Sequence, residues 1–144
     1  MKELKLIDAN IILRFLTNDE PNQAAACAKL LKRVEQNLEE VYIADLVMAD
    51  IVWTLEKYYK VEKQKIREIV SRILALAGLK CSSKNTFLEA LDIYADHNID
   101  WTDAFVIAQM FAAGRQEIYS YDRDFDKVDG VFRFLPDDGH LEYP

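Results

Sequence analysis

The sequence predicts an α/β fold with a mostly parallel sheet. Short apolar segments alternate with longer segments of helical periodicity along the chain of 144 residues. This alternation is typical of parallel strands joined by crossover helices. The chain shows no internal repeat, low-complexity stretch or linker, and its length suits one domain with a proper core. We therefore expect a single domain over residues 1–144.

The first strand and helix occupy residues 4–16. Residues 4–7 form an apolar run that fits a buried strand, and an amphipathic helical run follows. Asp8 stands between the two, where open α/β sheets place their ligands. Asn10 is well placed to cap the helix.

The remaining segments continue the alternation. Helices are predicted over residues 23–38, 46–59, 61–77 and 86–97, and a last helix is opened by residues 99–103 and runs through residue 113. Strands are predicted over residues 40–44, 79–81, 117–121 and 131–134. Pro21 suits the start of the first of these helices, and Gly78 and Gly114 end two of the others. The residues after 134 are expected to form turns.

The helix over residues 46–59 is apolar almost all round and is therefore expected to be largely buried. Asp45 is placed to cap it. Asp50 and Thr54 are its interior polar residues and lie one turn apart on one face. A carboxylate in such a helix needs a partner, because an unpaired buried charge is costly.

Composition excludes several classes of protein. The net charge of −7 argues against nucleic-acid binding through bulk positive charge. No apolar run is long enough to cross a bilayer, and the N-terminus lacks a signal-peptide pattern, so we expect a cytoplasmic protein without membrane contact. Cys27 and Cys81 are expected to be free core thiols, and His97 and His140 have no zinc-ligand spacing.

Each acidic residue admits a purely structural interpretation. Asp8 can accept backbone hydrogen bonds at a strand end, and Asp103 can favour the dipole of the helix that it opens. Residues 122–126 can form a solvated turn. Their spacing resembles a calcium loop, but Lys127 and Arg133 stand where an EF-hand requires Gly and Glu.

The order of the acids is more informative than any one of them. Asp8 and Asp122 both follow apolar strands, Asp103 opens a helix, and Asp50 lies in the helix after the second strand. Right-handed crossovers bring the carboxyl ends of parallel strands to one edge, where we expect these acids to converge. Clustered carboxylates repel one another unless a cation is present, and oxygen ligands suit Mg²⁺ or Mn²⁺. Such a site favours phosphodiester hydrolysis by activated water.

Four segments then resemble a known family. They are, in order, IDANIILR at residues 7–14, IADLVMADIVW at 43–53, WTDA at 101–104 and SYDRDF at 120–125. Together they resemble the PIN domain, in particular the VapC-type toxins of toxin–antitoxin pairs. The resemblance covers nearly the whole chain, and the ordered set is far more specific than any one segment.

The resemblance implies a three-layer α/β/α sandwich, a Mg²⁺- or Mn²⁺-dependent endoribonuclease, a homodimer and a cognate antitoxin that blocks the site. The site residues that it implies are the quartet Asp8, Asp50, Asp103 and Asp122, Asp126 as a further metal-binding acid, and Asn10 and Ser120 as supporting polar residues. Family members usually have Glu where this chain has Asp50, and often Thr or Ser where it has Ala9. The shorter Asp50 is expected to reach a metal through water. A weakened PIN module that binds metal or RNA without cutting stays open as the alternative.

An RNA-binding rim is the last feature that the sequence suggests. Lys57 and Lys60 lie close together with Tyr58 and Tyr59 interleaved, and Arg14 follows the catalytic turn. Basic residues with stacking aromatics suit an RNA strand. A solvated helix face explains the same lysines.

Two other classes of acid-rich protein fit less well. A receiver-like signalling domain needs a Lys at a later strand end, and the strand over residues 117–121 ends without one. A phosphatase of the DxD class needs a second Asp where Asn10 stands. The chain also offers no Ser-His-Asp or Cys-His set.

Overall fold

The computed structural model describes residues 4–138, and of residue 138 only the main chain. The helices are α1 (Ala9–Thr17), α2 (Pro21–Glu35), α3 (Asp45–Trp53), α4 (Lys63–Leu74), α5 (Lys84–Asp96) and α6 (Trp101–Ala112). The strands are β1 (Leu4–Leu6), β2 (Glu40–Tyr42), β3 (Leu79–Lys80), β4 (Glu117–Tyr119) and β5 (Phe132–Phe134). The turns predicted for residues 139–144, and His140, lie outside the described residues. Every predicted helix and strand within the described part is present, with ends that differ by a few residues.

The chain divides into two compact units, residues 1–84 and residues 85–144, here called the N-terminal unit and the C-terminal unit. In the N-terminal unit, β1, β2 and β3 form a sheet in that order. In the C-terminal unit, β4 pairs with β5. All three pairings are parallel, as the alternation of strands and helices predicts.

The core of the N-terminal unit follows the helical periodicities. In α2, Cys27, Leu31 and Val34 are buried on one face. In α4, Ile66, Val70 and Ile73 repeat at the same spacing and are buried as well.

The join between α4 and β3 depends on one glycine. A Cβ on Gly78 would overlap the carbonyl oxygen of Glu39. The Gly78 carbonyl accepts a hydrogen bond of 2.9 Å from the Val41 amide, and the Gly78 amide donates one of 2.9 Å to the Val34 carbonyl. The backbone therefore packs against Gly78 more closely than any side chain permits.

The C-terminal unit has an aromatic core. Phe87, Trp101 and Phe105 stack in near-parallel planes, with the Phe87 and Phe105 ring centroids 5.1 Å apart. Tyr94 meets Trp101 edge to face at 5.9 Å. These contacts hold α5 against the first turn of α6, where Asp103 lies.

The expectation of a buried first strand is wrong. All three residues of β1 are exposed, Leu6 to 76%, and burial begins only at Ile7. The prediction that the helix after β2 is buried almost all round is also wrong. Met48, Ile51 and Val52 form its buried face, whereas Leu46 is 84% exposed and Trp53 is 60% exposed.

The end of that helix departs from the predicted single helix. After Trp53 the chain continues as a π-helical turn, Thr54–Tyr58, in which the Tyr59 amide donates to the Thr54 carbonyl at 3.1 Å. Lys60 then adopts a left-handed conformation with φ of 58°. The turn ends the helix there and places Tyr58 and Lys60 at the surface.

Candidate functional site

Asp8 links β1 to α1. It is the N-cap of α1, and its Oδ1 accepts a hydrogen bond of 3.1 Å from the Asn10 amide. The expectation that Asn10 caps the helix is therefore wrong, because Asn10 lies inside the first turn. Both side chains are exposed. The cap fixes the Asp8 carboxylate at the end of β1.

Asp50 lies on the exposed face of α3, between Leu46 and Trp53. Its Oδ1 accepts a hydrogen bond of 3.4 Å from the Thr54 hydroxyl. The buried carboxylate expected from the sequence is thus a solvent-facing one, because the helix has an exposed face. Solvation removes the need for a charged partner.

Asp103 lies in the first turn of α6 and is partly buried. Burial raises the pKa of its carboxyl, and the carboxylates of Asp122, Asp100 and Asp124 raise it further. A hydrogen bond with Asp122 acts in the same direction. Asp103 is thus held among other acids of the C-terminal unit.

Asp122 follows β4 and caps the 3₁₀ turn Arg123–Lys127. Its Oδ1 accepts from the Asp124 amide at 2.9 Å, and its own amide donates to the Ser120 hydroxyl at 3.0 Å. Ser120 therefore fixes the backbone of Asp122, as a supporting residue should. Asp124 pairs in turn with Lys127 at 3.0 Å.

Asp126 is bound by Arg133 of β5. Two hydrogen bonds join the guanidinium to the two carboxylate oxygens, at 3.0 and 3.1 Å. This pairing holds the pKa of Asp126 below its ordinary value. Arg133 also donates to the Ser120 carbonyl at 3.1 Å.

The three basic residues proposed for RNA contact differ in their surroundings. Arg14 donates from Nε to Gln23 Oε1 at 2.8 Å. Lys57 pairs with Glu56 at 2.8 Å, and Lys60 is exposed.

The tyrosines interleaved with those lysines have contacts of their own. The Tyr58 and Tyr59 rings meet edge to face at 4.9 Å, and the Tyr59 hydroxyl donates to Asp19. That bond raises the pKa of Tyr59. Tyr58, which is 72% exposed, is thus the more accessible ring for stacking.

Within the C-terminal unit the structure brings Asp103 and Asp122 together. Asp8 and Asp50 belong to the N-terminal unit. Among residues 4–138, no three or more His, Cys, Asp or Glu side chains are arranged to hold a metal ion.

The comparison with known families decides the identity of the fold. The sequence model of the PIN domain family matches residues 5–131 of this chain. The chain belongs to the PIN domain family. The predicted α/β class, with its parallel pairings, is confirmed.

A relative of this PIN domain is the VapC ribonuclease of Aquifex aeolicus (strain VF5). The two are 26% identical over 125 residues, which cover 87% of this chain and 92% of the relative. Among the described residues of this PIN domain, no helix is long and apolar enough to cross a membrane.

The acids of this PIN domain have a definite chemical preference. Two carboxylates as close as Asp103 and Asp122 repel each other, and a cation removes that repulsion. Carboxylate oxygens suit hard divalent cations. Mg²⁺ commonly takes one or two carboxylates, with waters and substrate phosphates completing its shell, so the pair fits such an ion.

Two residues that bind predicted site residues were not themselves predicted. Arg133 binds Asp126, and its position as a lone cation in the short strand Phe132–Phe134 could have indicated an acidic partner. Gln23 binds Arg14 from the next helix, and nothing in its local sequence marks that role.

Proposed function

We propose that this PIN domain is a metal-dependent endoribonuclease and the toxin of a toxin–antitoxin pair. The proposal depends most on the close pair of Asp103 and Asp122, whose mutual repulsion calls for a cation. The similarity to a VapC ribonuclease over most of both chains supports RNA as the substrate. The reaction is hydrolysis of an RNA phosphodiester by activated water.

The metal ligands in this proposal are Asp8, Asp50, Asp103 and Asp122, and the ion is Mg²⁺ or Mn²⁺. A bound divalent cation supplies a polarised phosphate and an attacking water of lowered pKa. Asp50, which is one methylene shorter than Glu, contributes through water. Asp126 supports the site through Arg133, since both of its oxygens are already engaged.

The chain positions these acids through its backbone. The Asn10 amide holds the carboxylate of Asp8, and the Ser120 hydroxyl holds the amide of Asp122. Fixed ligands of this kind cost no reorganisation during the reaction. Asn10 and Ser120 are thus positioning residues in the proposed reaction.

The RNA strand is proposed to contact Arg14, Lys57 and Lys60. A protein of net charge −7 needs a local basic rim to hold a phosphate backbone. The exposed Tyr58 ring offers a surface for a base to stack on.

A homodimer, a cognate antitoxin and a cytoplasmic location complete the proposal. The homodimer is supported by the resemblance to VapC-type toxins, which commonly dimerise. Light scattering should give the mass of a dimer for the wild type. A monomeric wild type would contradict this part of the proposal.

The deciding experiment is cleavage of a fluorogenic RNA panel in Mg²⁺, in Mn²⁺ and in EDTA. We expect cutting that needs a metal, that Asp103→Asn loses, and that the exposed control Asp129→Asn retains. Retention of RNA without product in the presence of metal would favour the weakened binding module instead. Cutting that persists in EDTA would overturn the metal-dependent reaction.

A further inference from the structure

A small pocket lies between α1 and α2 in the N-terminal unit, and we call it the α1–α2 pocket. Its lining residues are Asn10, Ile11, Arg14, Gln23, Ala26 and Cys27. Its volume is about 280 Å³, just below the range of roughly 300–1,000 Å³ typical of sites for drug-sized ligands. The pocket therefore suits one planar ring with its substituents.

The lining combines apolar and polar residues. Ile11, Ala26 and Cys27 are the apolar ones, and Cys27 is buried. Asn10, Arg14 and Gln23 are the polar ones. Flat apolar faces with hydrogen-bonding edges are the features of a nucleobase.

The guanidinium of Arg14 is held in place at this pocket. Its Nε donates to Gln23 Oε1 at 2.8 Å, so one bond joins α1 to α2. Across residues 4–138, the Arg14 side chain makes no other hydrogen bond or ion pair, which leaves its terminal nitrogens available. A fixed, planar guanidinium both stacks on bases and donates to their edges.

The pocket also adjoins a proposed catalytic acid. Asn10 lines the pocket, and its backbone amide donates to the carboxylate of Asp8. The same turn of α1 therefore connects the two.

We infer that the α1–α2 pocket binds one unpaired base of the RNA, next to the bond that is cut, with Gln23 positioning Arg14. The inference rests on the proposed function and deepens it. It gives the enzyme a base preference at one position of a single-stranded substrate. The mostly apolar lining favours a base over a phosphate group.

The test fills the pocket and removes bases from the RNA. Ala26→Leu adds bulk inside the pocket, and Ala25→Leu adds the same bulk at the neighbouring exposed position of α2, outside the pocket. Both are made in the wild type for cleavage and in Asp103→Asn for binding. Short RNAs carrying one abasic nucleotide at each position in turn are the probes, read by fluorescence anisotropy and by mapping of the cut site.

The expected result is position-specific. For the Asp103→Asn parent and for Ala25→Leu, loss of one particular base next to the cut weakens binding about fivefold to 150-fold, the range of base stacking. In Ala26→Leu that difference disappears, and cleavage loses its base preference through a raised KM. Gln23→Ala should also reduce the binding difference between intact and abasic RNA and the base preference of cleavage, because Arg14 loses its fixed orientation.

The outcomes separate the pocket from the function. RNA that is cut with the same base preference by Ala26→Leu and the wild type overturns the pocket and leaves the nuclease standing. If Ala26→Leu lowers only the affinity for the antitoxin and leaves RNA binding and base preference unchanged, the pocket binds a side chain of the antitoxin and not an RNA base. If no RNA is bound or cut by a folded wild type with metal, both proposals are overturned.

Discussion

Arg133 binds both carboxylate oxygens of Asp126, with Nε 3.0 Å from Oδ1 and Nη2 3.1 Å from Oδ2. The Arg133 side chain is only 16% exposed, and it also donates to the Ser120 carbonyl. Ser120 in turn holds the amide of Asp122. One arginine therefore ties β5 and the 3₁₀ turn to the residue that fixes a proposed metal ligand.

Replacing Arg133 should release this arrangement. Arg133→Lys keeps the charge but removes the planar fork, so the pKa of Asp126 should rise toward its ordinary value. Because the pKa of Asp126 is lowered in the folded state, its pairing with Arg133 stabilises the fold above the ordinary pKa of aspartate. This stabilisation is lost as the pH falls through the pKa of the folded state. Carbon-13 NMR titration of the aspartate carboxyls measures the pKa of Asp126 in the wild type and in Arg133→Lys. Arg115→Lys, at an exposed site, is the control, and an unshifted Asp126 in Arg133→Lys would show that the fork is unimportant.

The metal-free protein should be more stable when Asp103 loses its charge. Burial and nearby acids raise the pKa of Asp103, so the folded state favours its protonated form. Stability is therefore greatest below the ordinary pKa and declines as the pH rises through the raised one. Asp103→Asn should unfold at a higher temperature than the wild type at about pH 7, and the difference should shrink toward about pH 4, near the ordinary pKa.

The same melting curves test the role of a cation. Added Mn²⁺ should stabilise the wild type, because binding to the folded state alone raises its stability. It should not stabilise Asp103→Asn to the same extent. Equal stabilisation of the two proteins would place the ion elsewhere.

Asp50 offers a test of reach. Its carboxylate is exposed, so the extra methylene of Asp50→Glu has room. We expect this variant to cut RNA faster than the wild type in Mg²⁺, because the longer side chain reaches the ion directly. Asp50→Asn should lower kcat/KM by about 10–100-fold, as for an outer-shell ligand, and by less than Asp103→Asn. Slower cutting by Asp50→Glu would show that the site is built around the shorter acid.

The elements and the order of the acids could be predicted from the sequence, because periodicity and strand–helix alternation are local properties. The exposed face of α3 could not. The sequence predicts Leu46 and Trp53 to be core residues, but both are exposed. The buried face is determined by the residues that pack on Met48, Ile51 and Val52. Local hydrophobicity does not say which side of an apolar helix is covered.

The contacts between distant residues were equally hidden. Gln23 meets Arg14 because α1 and α2 pack together, and Arg133 meets Asp126 because β5 pairs with β4. The cap on α1 could have been predicted, since Asp8 and Asn10 are both good N-caps. The choice of Asp8 depends on where β1 ends, and strand ends are poorly defined by propensity.

Lys60 allows the charge of the RNA-binding rim to be separated from backbone strain. Its φ of 58° is a left-handed conformation that favours glycine, so Lys60→Gly should stabilise the fold by about 1 kcal/mol. The same change removes a proposed phosphate contact, so RNA should bind more weakly, and the slope of log affinity against log salt should fall in magnitude by about 0.7. Lys29→Ala, at an exposed position on α2, removes the same charge and should leave RNA binding unchanged. Chemical denaturation and salt-dependent anisotropy measure the two effects. A Lys60→Gly protein that is more stable but binds RNA with an unchanged salt slope would show that Lys60 lies outside the rim.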